Sequence, residues 1–160
     1  MDRIETKKKI LALISEAEDL IPQNIEPDLP PSKDLNGVPE WHGYERKIWE
    51  HGEKIRQLLN EHKALYEDKD LFDRIISICL NRNSKRGRQS FIMLLWNKSN
   101  ARYAERLIKQ LDDKSVYGHI IEGLNKMKVP GYSTSIKPFS LDKTTWIRNQ
   151  AKKYLQQYGS

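Results

Sequence analysis

Apolar residues recur at three- and four-residue spacing along most of the chain, which is the spacing of one face of an α-helix. The first such segment covers residues 5–20, and Pro22 ends it because proline cannot continue a helix. No stretch alternates apolar and polar residues in the manner of a half-buried strand. The pattern predicts an all-α protein of about seven helices, at about 5–20, 41–66, 71–82, 88–97, 101–112, 115–127 and 143–158.

Residues 22–40, which we call the strap, interrupt this pattern. The strap contains five of the seven prolines of the chain and the turn signal Asn36-Gly37, so it cannot form a regular helix. Its apolar residues are spaced as though they fasten it to a surface, which favours an ordered segment over a flexible linker. These residues are Ile25, Leu29, Leu35 and Val38.

The length of 160 residues suits one domain with its own core. We expect it to consist of an N-terminal helix at 1–21, the strap, and a stack of helices over 41–160. No apolar run approaches the roughly 18 residues that a membrane span needs. The N-terminus also lacks the apolar stretch of a signal peptide. A soluble, cytoplasmic protein with no membrane partner is therefore the expectation.

The last two predicted helices align with each other at a shift of 31 residues, which places Val116 on Ile147 and Leu124 on Leu155. Two amphipathic helices can align in this way by coincidence, but the regular alternation of helices and short turns favours a repeat. Periods of this length are typical of stacked helical hairpins.

The segment 142–155 resembles the first helix of a HEAT repeat. That helix often has an acidic residue, an aliphatic-arginine pair, and then alanine and leucine at four-residue steps. The matching positions are Asp142, Ile147, Arg148, Ala151 and Leu155. The resemblance implies a HEAT/armadillo-like α-solenoid of stacked antiparallel helical hairpins. Proteins of this kind usually act as binding scaffolds and rarely as enzymes.

The residue types that carry catalysis or hold metals are few. The four histidines and the single cysteine do not follow a metal-ligand spacing, and the chain has no glycine-rich phosphate loop or nucleophile motif. Cys79 lies in an apolar run, so we expect it to be a buried core residue. The sequence thus predicts a protein without enzyme activity, metal or cofactor.

Charge is distributed unevenly along the chain. Residues 1–70 carry 11 Lys and Arg against 16 Asp and Glu, and residues 71–160 carry 17 against 6. Such a separation bears on partners more than on fold. We expect nine basic side chains of the second part to contact a partner, with four of them (Arg74, Arg102, Arg106 and Lys109) lining one groove of the stack. The nine are Arg74, Lys85, Arg86, Arg88, Arg102, Arg106, Lys109, Arg148 and Lys152. A scatter of solubilising cations is the alternative.

The expected partner is another protein. Small proteins of this size without catalytic residues are often immunity proteins that neutralise a toxin domain, an analogy that rests on size and fold alone. In that role the acidic residues Asp28, Asp34 and Glu40 of the strap would contact the partner as well. The alternative is a nucleic-acid-binding helical repeat that uses the basic groove, although the acidic first half would repel a polyanion.

Overall fold

The computed structural model describes residues 1–31, 33 and 37–159. The described residues form no β-strand, and only Pro31 and Pro39 pair in an isolated antiparallel bridge. The prediction of an all-α protein is confirmed for this part of the chain. Eight α-helices occur in it: α1 Arg3–Leu20, α2 Gly43–Glu61, α3 Lys69–Leu80, α4 Gln89–Met93, α5 Ala104–Ile108, α6 Tyr117–Met127, α7 Ser133–Ile136 and α8 Thr145–Tyr158.

Short 3₁₀ helices connect several of these elements. They are Lys63–Glu67, Arg82–Arg88, Lys98–Tyr103 and Lys137–Leu141. The chain divides into two compact units, Met1–Phe91 and Ile92–Ser160. The organisation as one domain stays a prediction, and each unit is described by itself.

In the first unit, α1 and α2 form an antiparallel pair. The ring of His51, halfway along α2, lies 3.0 Å from the carboxylate of Glu16 near the end of α1. His62, just after α2, contacts the carbonyl oxygen of Met1 at 2.8 Å, just before α1 begins. The strap is therefore the connection between two adjacent antiparallel helices.

The third helix runs parallel to α1. The ammonium group of Lys7 lies 2.7 Å from Asp68 at the start of α3, and Arg74 lies 2.7 Å from Glu18 near the end of α1. The three helices enclose the apolar core of this unit. Its fully buried members include Ile10, Ile14, Ile48, Ile55, Leu59, Leu71, Phe72, Ile75, Cys79 and Phe91.

Polar side chains at the helix ends move the predicted boundaries. The backbone N–H of His42 donates to the carboxylate of Glu45 at 2.7 Å, which starts α2 at Gly43 and not at 41. The third helix is capped by Asp68, which accepts from Leu71 at 3.0 Å, so α3 begins at Lys69 and not at 71.

Helix four ends earlier and helix five begins later than predicted, and between them asparagine side chains bond to the local backbone. The side chain of Asn97 accepts from Ser99 at 3.5 Å, and the side chain of Asn100 donates to the carbonyl of Leu95 at 3.2 Å. Such bonds offer the backbone an alternative to the helix. The predicted helices at 88–97 and 101–112 shrink to α4 and α5.

In the second unit, α6 and α8 pack side by side in the same direction. Asn125, near the end of α6, donates to the carbonyl of Gln150 in the middle of α8 at 3.0 Å. Farther along both segments, the hydroxyl of Tyr154 donates to the carbonyl of Val129 at 2.6 Å. The segment between the two helices, predicted to be a loop, contains α7 and a 3₁₀ helix.

Glycine at position 87 allows the Arg82–Arg88 segment to approach α2 closely. A Cβ atom there would lie 2.7 Å from the carbonyl oxygen of Glu45 and 2.9 Å from Cβ of Ile48. Neither contact can be relieved by rotating a flexible side chain, so the backbone would have to move.

We therefore expect Gly87→Ala to lower the free energy of unfolding of the first unit by about 2 kcal/mol, which is typical of overpacking. Gly43→Ala is the matched control, because nothing lies within 4 Å of its Cβ position. Urea unfolding followed by circular dichroism measures both. Equal stabilities of the two variants would contradict this close approach.

His119 makes the stability of the second unit dependent on pH. Burial lowers the pKa of His119 to about 4, and its ring lies edge-on to Trp146 with centroids 5.3 Å apart. Because the folded pKa is below the unfolded one, the neutral form is favoured in the folded state. The contribution of neutral His119 to stability is therefore fully present above about pH 6.5, and it is lost as the pH drops toward 4.

One pKa unit corresponds to about 1.4 kcal/mol, so this loss can reach about 3 kcal/mol. We expect His119→Phe to remove most of the fall between pH 6.5 and 4, as measured by thermal unfolding at several pH values. Carboxylates such as Asp142, whose pKa is lowered, act below this window. An unchanged pH dependence in the variant would contradict the assignment.

Candidate functional site

Four of the nine basic side chains predicted to contact a partner lie in the first unit and bond to their own chain. Arg74 donates to Glu18 at 2.7 Å and to the hydroxyl of Ser15 at 3.3 Å. Arg88 has no exposed surface and donates to the carbonyl oxygens of Lys85 and Cys79, each at 3.2 Å. In this structure Arg88 is thus a buried connector rather than a partner contact, contrary to the prediction.

Lys85 fastens the strap. Its ammonium group donates to the carbonyl of Glu26 at 2.8 Å and forms an ion pair with Asp28, while its side chain is only 8% exposed. The hydrogen bond from Lys85 lowers the pKa of Asp28. Lys85 and Asp28, which were both predicted to contact a partner, therefore bind each other.

Arg86 fastens the other end of the strap. Its guanidinium donates to the carbonyl oxygens of Pro39 and Glu40 at 2.9 and 2.8 Å. Its backbone N–H donates to the fully buried carboxylate of Glu45 at 3.0 Å, and its side-chain Nε lies 3.5 Å from the same oxygen. The guanidinium also lies over the ring of Trp41, 5.0 Å from its centroid.

Two further polar side chains complete the attachment, which we call the clamp (His42, Asn83, Lys85 and Arg86). The amide of Asn83 donates to the carbonyls of Pro22 and Gln23, both at 3.0 Å. The ring of His42 contacts the carbonyl of Pro27 at 2.9 Å. Strap carbonyls are thus the main acceptors, because proline-rich backbone leaves them without helical partners.

Within the described residues these polar bonds hold the strap, and of the apolar residues expected to fasten it Leu29 is half-buried. Ile25 and Val38 are 60% and 43% exposed. Leu35 and Asp34 lie outside the described residues. The strap therefore turns apolar side chains and the carboxylates of Glu26 and Glu40 toward solvent.

Lys85 adopts a backbone conformation that favours glycine, with φ 49° and ψ −131°. Non-glycine residues in such a region cost about 1–3 kcal/mol and persist where the surroundings hold them. The side chain explains why this position holds lysine and not glycine. Glycine would relieve the strain but would leave the carbonyl of Glu26 and the carboxylate of Asp28 without their cation.

The division into units changes the picture of the charge. The first unit carries 16 Lys and Arg against 17 Asp and Glu, and the second carries 12 against 5. The basic residues between 74 and 88 therefore balance the acids of their own unit. The excess positive charge, +7, belongs to the second unit.

The second unit brings two of the predicted basic residues together. The guanidiniums of Arg102 and Arg106 both lie over the ring of Tyr103, at 4.6 and 5.2 Å from its centroid. Lys109 and Lys152 are exposed.

Arg148 forms hydrogen bonds with residues at the start of its own helix. It donates to the carbonyl of Asp142 at 2.8 Å and to the hydroxyl of Thr145 at 3.3 Å. The Asp142 and Arg148 positions on which the repeat resemblance depends are thus directly bonded.

A cavity of about 410 Å³ opens on the first unit beside the end of the strap. We call it the tryptophan cavity, and its lining residues are Trp41, Arg46, Trp49, Glu50 and Gln89. Arg46 forms a loose ion pair, 3.7 Å long, with Glu40 of the strap. Neither tryptophan stands out in the sequence as a site residue, and because Trp41 precedes α2, helical spacing does not relate it to Trp49.

The described residues contain no group of three or more His, Cys, Asp or Glu side chains that could hold a metal ion. Cys79 is buried as predicted, and burial raises the pKa of its thiol. Within the same residues, none of the helices has the length and hydropathy of a membrane span.

Comparisons with protein-family models, with curated proteins and with solved structures found no match to this chain. The function must therefore be argued from the geometry of the two units themselves.

The clamp can be tested with two substitutions of Lys85. Lys85→Met keeps the backbone strain and removes the cation, so we expect lower stability and faster proteolysis within residues 22–40. Lys85→Gly removes the backbone strain as well as the cation. We therefore expect equally fast proteolysis, with a free energy of unfolding about 1 kcal/mol higher than that of Lys85→Met.

Limited proteolysis with mass-spectrometric mapping and urea unfolding measure these effects. Lys54→Met, on the exposed side of α2, is the control and should behave like the unmodified protein. Unchanged cleavage of the strap in both Lys85 variants would show that Lys85 does not hold it.

Proposed function

We propose that this protein is a non-catalytic protein-binding module that contacts its partner through the strap and the adjoining tryptophan cavity. The observation that carries the proposal is the clamp, which holds the described part of the strap in place while its exposed side chains face solvent. A segment ordered in advance loses less conformational entropy on binding, so more of the contact energy appears as affinity.

The exposed surface of the strap has the composition of a protein interface. Apolar side chains (Ile25 and Val38) alternate with carboxylates, and two tryptophans and an arginine line the cavity at its end. Tryptophan and arginine are enriched among residues that dominate binding energy. Exposed carboxylates repel phosphate groups, so this surface favours a basic protein over a nucleic acid.

The most specific role that we propose is that of an inhibitor, such as a bacterial immunity protein that neutralises a toxin domain. An acidic segment ordered in advance would suit the basic cleft of an enzyme that acts on nucleic acid. This role rests on an analogy of size and fold, together with the charge of the strap.

We also propose a HEAT/armadillo-like arrangement for the helices after residue 41. Its support is the parallel packing of α6 and α8, because equivalent helices of stacked repeats run in the same direction. The short α7 between them is a departure, since it has four residues where a hairpin repeat would have a full second helix.

A second candidate function is nucleic-acid binding by the second unit. The observation in its favour is the charge of +7 together with two guanidiniums held over Tyr103. Phosphate binding through such residues would weaken steeply with added salt.

The proposal can be tested by affinity capture with the full chain as bait. We expect Glu26→Lys combined with Glu40→Lys to reduce binding of the captured partner at least about tenfold, because both carboxylates are exposed on the strap. Asp19→Lys combined with Glu61→Lys changes the net charge equally at exposed positions outside the strap, and it should retain binding.

Equal binding by the two charge-reversed proteins would contradict the strap interface. Binding of generic RNA or DNA that weakens steeply with salt and is lost in Arg102→Glu combined with Arg106→Glu would instead support the second candidate. A captured toxin whose activity is suppressed by the unmodified protein, but not by the strap variant, would support the inhibitor role.

A further inference from the structure

The tryptophan cavity is large enough to hold one side chain of a partner. Its volume of about 410 Å³ lies within the usual range for small-ligand sites. Two indole rings supply apolar faces, and the polar groups of Arg46, Glu50 and Gln89 supply hydrogen-bonding partners. The cavity is thus amphipathic, which suits a ligand with an apolar stem and a polar end.

The charges around the cavity do not cancel. Arg46 has Glu40 as its ion-pair partner, and Arg86, which lies over Trp41, has the buried Glu45. Glu50 is exposed and, within the described part of the chain, has no ion pair or hydrogen bond. One carboxylate at the cavity therefore stays uncompensated.

We infer that the tryptophan cavity binds an arginine side chain of the protein partner, with the guanidinium against Glu50 and the apolar stem against the indole rings. This inference rests on the proposed function, because it names the residue type that the partner inserts beside the strap. Charge complementarity supports a cation, since an anion would face the carboxylate of Glu50.

Arginine fits the cavity better than lysine. Its guanidinium is planar, weakly hydrated and able to stack on an aromatic face, whereas an ammonium group is strongly hydrated. The first unit already contains this contact, because Arg86 lies over Trp41. A second guanidinium would reuse the same interaction at the open side of the cavity.

The inference can be tested without the natural partner. The four tryptophans give four indole N–H signals in a ¹⁵N spectrum of the full chain. We expect N-acetyl-arginine amide to shift the signals of Trp41 and Trp49, and not those of Trp96 and Trp146. N-acetyl-citrulline amide has nearly the same shape without the charge, and it should bind much more weakly.

The matched variants are Glu50→Gln and Glu61→Gln, which remove one exposed carboxylate each from α2. We expect Glu50→Gln to raise the dissociation constant of the arginine amide about fivefold, as for the loss of one exposed ion pair. Glu61→Gln should leave it unchanged. Thermal unfolding of both variants confirms that the fold is intact.

Equal shifts with the arginine and citrulline amides, or equal affinities of the two variants, would overturn the inference. A larger response to adenosine than to the arginine amide would overturn it as well, in favour of a base-stacking site. These results are separable from the capture experiment, because the arginine amide can fail to bind while the strap variant still loses its partner. If the arginine amide binds but no partner is captured, the result supports the inference about the cavity and not the proposed function.

Discussion

The first unit depends on one buried carboxylate, that of Glu45. It accepts the backbone N–H of His42 and so fixes the start of α2, and it accepts the backbone N–H of Arg86 from a segment 41 residues away in sequence. Arg86 in turn reaches the carbonyls of Pro39 and Glu40. A carboxylate with no exposed surface is stable only when such donors surround it, so the three segments are held in one relative position.

The strap follows from this constraint. Its prolines prevent a helix, and in its described residues the backbone pairing is limited to the bridge between Pro31 and Pro39. Side chains from the Arg82–Arg88 segment supply the missing donors, and Lys85 does so from a strained backbone. This attachment holds the described part of the strap in a defined position on the first unit.

Much of the helical architecture could be predicted from the sequence, because apolar spacing directly reports which face of a helix is buried. Ile10, Ile55 and Ile75, which lie in the predicted helices, are fully buried. The first residues of α2 and α3 were less predictable, since they depend on which nearby acidic side chain accepts hydrogen bonds from the backbone there. The end of α4 and the start of α5 lie beside local asparagine bonds that apolar spacing does not report.

The candidate site could be predicted only in part. The sequence by itself determined that the chain is helical where it is described, that residues 22–40 cannot be helix, and that positive charge accumulates after residue 70. Only the tertiary structure decided that Lys85 and Arg86 hold the strap, that the excess charge belongs to the second unit, and that Trp49 lines a cavity. The physical reason is that helical periodicity is local, whereas an ion pair joins residues from distant segments and its partners are fixed only when those segments pack together.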